Sequence, residues 1–254
     1  MKPPNTSDRV QVWSSGGGVQ SAAIAALIVR GDLPRPDFAV IADTGYEAST
    51  TWEYMDEVIQ PALNAVGVSL VRVKSSDFSN VGLYSKNGDI LIPAFTTESG
   101  EVGKLPTYCS NEWKQRVIQR WLRTQTDAKK FHIWIGISID EMRRAKPTIG
   151  KYEKRYVLIE QLKNRGDCIA LVRSMGWRDA PRSSCWKCPN RSPQEWEYLK
   201  QTAPQDFLKA VKFEKQMQEK DECLWLTRSA QPLDVLADSG ELFTGLCDSG
   251  FCFT

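Results

Sequence analysis

Two groups of residues in this 254-residue chain have the types and spacing for chemistry. The first is "WSSGGGVQS", residues 13–21, where three glycines stand between serines after an apolar run and before a helical pattern. Without side chains at Gly16, Gly17 and Gly18, backbone N–H groups can close on an anion, with the positive end of the following helix dipole behind them. Phosphate suits such a loop, and Ser14, Ser15 and Ser21 could add hydroxyl donors. The plainer alternative is a glycine-rich connection in an α/β fold. Neither the Gly-Lys-Ser/Thr ending of a P-loop nor the dinucleotide pattern G-x-G-x-x-G is present, because Gln20 and Ser21 follow the glycines.

The second group is the cysteines. Cys185 and Cys188 form a C-x2-C pair in "SSCWKCPN", Cys168 lies in "NRGDC", and Cys109 opens "CSNEWKQRVIQRWLR". Two close and two distant thiolates suit tetrahedral zinc or a [4Fe–4S] cluster, and residue types alone do not separate these. A helix N-terminus would favour the thiolate form of Cys109. A redox pair at Cys185 and Cys188 beside two unrelated buried cysteines is the alternative. Cys247 and Cys252, in the terminal "LFTGLCDSGFCFT", could be a nucleophile and its resolving partner, or thiols without a role, or extra ligands. Cys223 reads as core or chance.

These groups need a scaffold. The first half alternates strand and helix: a strand through Val10 and Val12, a helix carrying Ile24, Leu27 and Ile28, the strand "DFAVIADTG", a helix over residues 48–66, and the strand "VSLVRVKSS". Such alternation predicts an α/β fold with a parallel sheet under helices, and ligands in such sheets bind beyond the strand carboxyl ends. Asp43, Thr44 and Gly45 would then stand beside the glycine loop. Asp43 could meet a ribose hydroxyl, a magnesium ion or a group near adenine, or with Thr44 simply cap the next helix. "GLYSKNGDILIPAF" reads as a hairpin around Asn-Gly, and "TTESGEVGKLPTYCS", residues 96–110, as a mobile loop. After the strand "HIWIGI", Asp140, Glu141, Arg143 and Arg144 gather; either arginine could fork onto a phosphate or sulfate, or pair with a neighbouring carboxylate. His132, the only histidine, falls at the opposite strand end, so neither a Ser-His-Asp triad nor a histidine metal site can be built. Ser192 and Glu195 form a capping-box pattern, and Ala203-Pro204 divides the following stretch into two helices.

Composition narrows the classes. With 33 basic and 31 acidic side chains, the formal charge of +2 marks no polyanion binder as a whole. No apolar run approaches the roughly 20 residues of a membrane span, and "MKPPNTSDRV" lacks a signal-peptide core, so a cytoplasmic protein is expected. In a reducing compartment, seven cysteines are ligands or reactive thiols rather than disulfides.

Taken in order over residues 10–200, "SSGGGVQS", "IADTGYE", "CSNEWKQRVIQRWLR", "GISIDEMRR", "NRGDC" and "SSCWKCPNRSPQEWEYLK" resemble the phosphoadenosine phosphosulfate (PAPS) reductase family of the N-type ATP pyrophosphatase, or PP-loop, superfamily. The branch that contains the DNA-phosphorothioation sulfurtransferase is the most similar. The resemblance implies an adenine-nucleotide α-hydrolase-like sheet, with a nucleotide-binding domain over residues 1–200 and a C-terminal helix and tail over 201–254. It implies that residues 14–21, Gln20 included, bind the phosphates of ATP or a sulfonucleotide, that Asp43 lies near the nucleotide, and that Cys109, Cys168, Cys185 and Cys188 ligate a [4Fe–4S] cluster. Two departures stand out: Tyr108 replaces the first of an adjacent Cys-Cys pair, and the reductases' terminal Glu-Cys-Gly motif is absent. ATP-dependent sulfur transfer is therefore expected ahead of sulfonucleotide reduction by a tail cysteine, with a nucleotide-binding partner protein as the non-enzymatic reading. The sulfur acceptor could be a nucleic acid or a small molecule, and the donor another protein.

Overall fold

The computed structural model describes residues 9–79, 82, 84, 87 and 91–236. In chain order, β1 (Val10–Ser15) leads through the glycine loop into α1 (Val19–Arg30). β2 (Phe38–Asp43) leads into a continuous helical stretch of α2 (Ser49–Tyr54), a π turn (Met55–Ile59) and α3 (Gln60–Ala65). Then come β3 (Leu70–Lys74) and two short strands, β4 (Phe95–Thr96) and β5 (Gly103–Lys104). A second helical stretch opens at Cys109, passes through a π turn (Asn111–Gln115) and continues as α4 (Arg116–Gln125). β6 (Phe131–Ile135), a 3-10 turn (Ile139–Arg144), β7 (Tyr152–Arg155), α5 (Val157–Glu160) and α6 (Arg165–Ser174) follow. The chain goes on through α7 (Pro193–Thr202), α8 (Pro204–Gln218), β8 (Leu224–Trp225) and α9 (Leu233–Leu236).

The main sheet has five strands in the order β3-β2-β1-β6-β7, all parallel. Successive side chains of a strand point to opposite faces, and both faces are covered. Trp13, Ala39, Ile41 and Trp134 face one core with α1, α3, α5 and α6, while Val12, Val40, Ala42, Phe131 and Ile133 face another with α4. This is the expected α/β class. α1 is buried from Ser21 to Ile28 because its alanine-rich face lets it lie close to both the sheet and α6. Burying Ile24, Leu27 and Ile28 stabilises the layer by about 1.5–3 kcal/mol each relative to exposure.

β1 pairs with β2 on one side and β6 on the other, so the connections leaving β1 and β6 diverge. The carboxyl ends of these two strands thus form a topological switch point, the place where parallel α/β sheets bind ligands. Gly136, just past β6, makes the junction possible: a Cβ there would stand 3.2 Å from the Gln20 Cβ and 3.5 Å from the Ser21 nitrogen.

A third core, built from Trp113, Trp196, Phe207, Met217, Leu224 and their neighbours, packs α7, α8 and α9 with an antiparallel sheet β5-β4-β8. Residues 96–104, read from sequence as part of a mobile loop, are instead tied down: Thr96 pairs with both Gly103 and Leu224, and the Thr97 N–H donates to the Cys223 carbonyl at 3.0 Å. The partner strand lies far along the chain, so no local pattern announces it. The Asn-Gly hairpin reading falls in part, Gly88 included, on residues outside those described. The Ser192–Glu195 capping box forms, with the Ser192 N–H donating to Glu195 at 2.7 Å, and the helix break falls at Ala203. Among the described residues no helix is long and apolar enough to cross a membrane.

Candidate functional site

The glycine loop turns where β1 ends. Gly17 has φ +77°, and a Cβ on it would stand 2.7 Å from the Thr51 methyl group, so both conformation and space demand glycine. Two loop N–H groups are held by the loop's own serines: Gly16 donates to Ser21 Oγ at 2.8 Å and Gly17 to Ser15 Oγ at 3.3 Å. Ser15 and Ser21 therefore shape the loop as acceptors, rather than only offering donors to a ligand. Gly18 caps α1 without a side chain, and the first turn of α1 has no acidic residue, which leaves the helix start suited to an anion.

β2 lies beside β1 in register, Ser15 opposite Ile41, so its end adjoins the loop. Asp43 Oδ1 accepts from the Gly45 N–H at 2.9 Å and Thr44 Oγ1 from the Tyr46 N–H at 3.2 Å, with Gly45 at φ +76°. These residues build a turn; the residue that caps α2 is Ala48. On the other side, Gln20 Nε2 donates to Glu141 Oε2 at 2.8 Å, and the other Glu141 oxygen pairs with Arg144. Arg144 thus takes the carboxylate alternative, and Arg143 lies exposed on the same turn.

The cysteines divide. Residues 184–186 run antiparallel to residues 46–48 just beyond β2: Cys185 bridges Glu47, the Trp186 N–H donates to the Tyr46 carbonyl at 2.8 Å, and the Ala48 N–H to the Ser184 carbonyl at 3.2 Å. The Cys188 N–H donates back to the Cys185 carbonyl at 3.1 Å, which closes a tight C-x2-C turn. Cys109, opening the helical stretch, joins this pair, and each of these thiols lies within electrostatic reach of the others. Cys168 does not join them. It is fully buried between α6, α1 and α5, and its charged neighbours are Asp140, Asp167, Arg165 and Lys163. The structure thus gathers three of the four expected cysteines, and the face of α6 that carries Cys168 packs into the core. Burial pushes that thiol up to about 12.

The expected thiolate preference of Cys109 is also reversed. Burial and the Cys188 sulfur raise it, outweighing Lys114 and the N–H groups at the helix start. Burial likewise raises the Cys185 thiol, with Glu47 adding and Lys114 opposing. Cys247 and Cys252 lie outside the described residues. Among the described residues no three His, Cys, Asp or Glu side chains stand close enough to hold a single metal ion. In kind, three thiols with no imidazole among them suit a thiophilic centre.

Sequence reasoning missed two residues here. Lys187, inside the C-x2-C turn, is 2% exposed, with Nζ 3.2 Å from the Tyr46 ring centre, 4.4 Å from that of Phe213 and near Trp113 and Trp186. A lysine between tryptophan and cysteine in "CWKC" was the available signal. The second, Glu47, forms a buried ion pair with Lys114 at 2.6 Å and lies 3.9 Å from the Cys185 sulfur; it ends the "IADTGYE" motif, where sequence reasoning gives it no role.

No protein-family model matches the chain, and no curated protein does. Among solved structures, the chain is similar to the U34-tRNA thiolase NcsA from Methanococcus maripaludis, determined with its [4Fe–4S] cluster. That similarity is 15% identity and a TM-score of 0.40, over 83% of this chain and 72% of the other.

Proposed function

We propose that the protein is an adenine-nucleotide-dependent enzyme of sulfur chemistry, which transfers sulfur to an acceptor first activated by ATP. The observation that carries this reading is that one segment serves both groups: Ser183 donates to the Gly16 carbonyl, and Cys185, two residues on, belongs to the three-thiol group. The resemblance of the sequence motifs to the PP-loop superfamily supports adenine nucleotide as the loop's ligand. ATP phosphates would lie against residues 14–21 and the start of α1. The second oxygen of Asp43, which makes no hydrogen bond among the described residues, would serve a ribose hydroxyl or magnesium.

In this reading an acceptor oxygen attacks the α-phosphorus of ATP, the bond to pyrophosphate breaks, and an adenylated acceptor forms. Sulfide then displaces that oxygen, which leaves with AMP. The loop N–H groups and the helix start stabilise charge that develops on the phosphates. Cys109, Cys185 and Cys188 would hold a [4Fe–4S] cluster, which when bound supplies a place for inorganic sulfide.

The test is anaerobic purification of the full chain, iron and sulfide quantitation, and incubation with ATP, sulfide and cellular nucleic acid. About four irons per chain, lost in Cys185→Ser, with AMP and pyrophosphate formed in equal amounts, are expected. Sulfite release from a sulfonucleotide without ATP use would make it a reductase instead. Stoichiometric zinc without iron would make the thiols a structural site.

A further inference from the structure

With Cys168 in the core, three thiols gather among the described residues, so one corner of a four-iron cluster has no sulfur from these residues. Glu47 stands beside that group: its backbone bridges Cys185, and its Oε1 lies 3.9 Å from the Cys185 sulfur. The Glu47 side chain is 2% exposed, and Lys114 occupies Oε1 at 2.6 Å. The other oxygen, Oε2, is buried with no hydrogen-bond partner among the described residues. A buried carboxylate oxygen without a donor or cation loses its hydration and gains nothing in return. Metal-ligating carboxylates, by contrast, are commonly held on one oxygen by a second group that orients the other toward the metal.

We propose that Glu47 Oε2 is the fourth protein donor of the centre held by Cys109, Cys185 and Cys188, with Lys114 orienting it through Oε1. This inference rests on the reading that these cysteines hold an iron–sulfur cluster. A carboxylate is a harder and more exchangeable ligand for iron than a thiolate. The iron it holds is therefore the one that can be vacated for an incoming sulfur ligand.

The test compares the anaerobically reconstituted full chain with its Glu47→Gln variant by iron content and electron paramagnetic resonance after mild oxidation. The expected result is about four irons in the parent and about three in the variant, with the variant showing the signal of a three-iron cluster. Four irons retained by the variant, or the whole cluster lost, overturns the proposal. Mössbauer spectra of the unaltered chain loaded with enriched iron test it without relying on the variant's folding. One iron distinct from three thiolate-bound irons supports the ligand role, and four equivalent irons overturn it. A parent chain that takes up no iron overturns the cluster reading itself, and is thereby distinguished from failure of Glu47 alone.

Discussion

The Ser183 hydroxyl donates to the carbonyl of Gly16, which ties the cysteine-bearing segment to the glycine loop. Ser183 also lies over the loop's other glycines: a Cβ on Gly17 would come within 3.3 Å of its oxygen, and one on Gly18 within 3.4 Å of its Cβ. Nucleotide binding at the loop and order at the thiol group are therefore expected to be coupled. Ser183→Ala removes a hydrogen bond worth about 1 kcal/mol. It should weaken ATP binding by about fivefold, measured by titration calorimetry on the full chain.

Gly17→Ala is the harsher change. It forces a side chain into a positive-φ position and against the Thr51 methyl group. Denaturant unfolding should show a loss of about 1–3 kcal/mol. ATP binding should fall by more than the Ser183 variant's loss, because the loop itself must shift.

Cysteine variants should fall into two classes. Cys168→Ala removes a fully buried sulfur from the packing of α6 on α1 and should cost about 1 kcal/mol of stability, with iron content unchanged. Serine variants of Cys109, Cys185 and Cys188 should lose iron. Parallel iron loss in Cys168→Ala, at preserved circular dichroism, would return that residue to the ligand set.

Lys187 carries a buried ammonium whose charge is met by aromatic faces rather than a carboxylate. Its pKa is lowered to about 8 by burial, with the Cys185 and Cys109 sulfurs opposing. Met is flexible enough to fill the same cage and favours aromatic surroundings. Lys187→Met should therefore leave the metal-free chain at equal or higher melting temperature, since the desolvation cost of the charge disappears. The same variant should retain less iron, because a positive charge beside the thiols is gone.

Asp206 links α8 to the start of α2, accepting from the Ser49 N–H at 2.6 Å and pairing with Lys209 at 2.9 Å. Burial works against its charged form, yet the Ser49 N–H and Lys209 outweigh it and hold the carboxyl below its ordinary value. Its stabilisation is therefore complete above the ordinary carboxylate pKa and is lost as pH falls through the lowered one. Thermal unfolding of Asp206→Asn should show a lower melting temperature at neutral pH, and a difference from the parent that shrinks on the acid side.

The sequence by itself determined the elements whose causes are local. Alternating apolar runs marked β1, β2, β3 and β6; the glycines marked the loop; Ser192 with Glu195 marked the start of α7, and Pro204 the break before α8. Each depends on groups within a turn or two of one another, where spacing alone decides the outcome. The parallel class followed from the βαβ alternation for the same reason. The tertiary structure decided which distant groups meet. Strand order brought the ends of β1, β2 and β6 together, and the packing of α6 on α1 withdrew Cys168 from the other cysteines. Pairing of residues 46–48 with 184–186 placed Glu47 at Cys185 and folded Lys187 into its aromatic cage. Burial then reversed the ionisation expected of Cys109 at a helix start, because desolvation depends on everything packed around a group and the helix-end field only on its own turn.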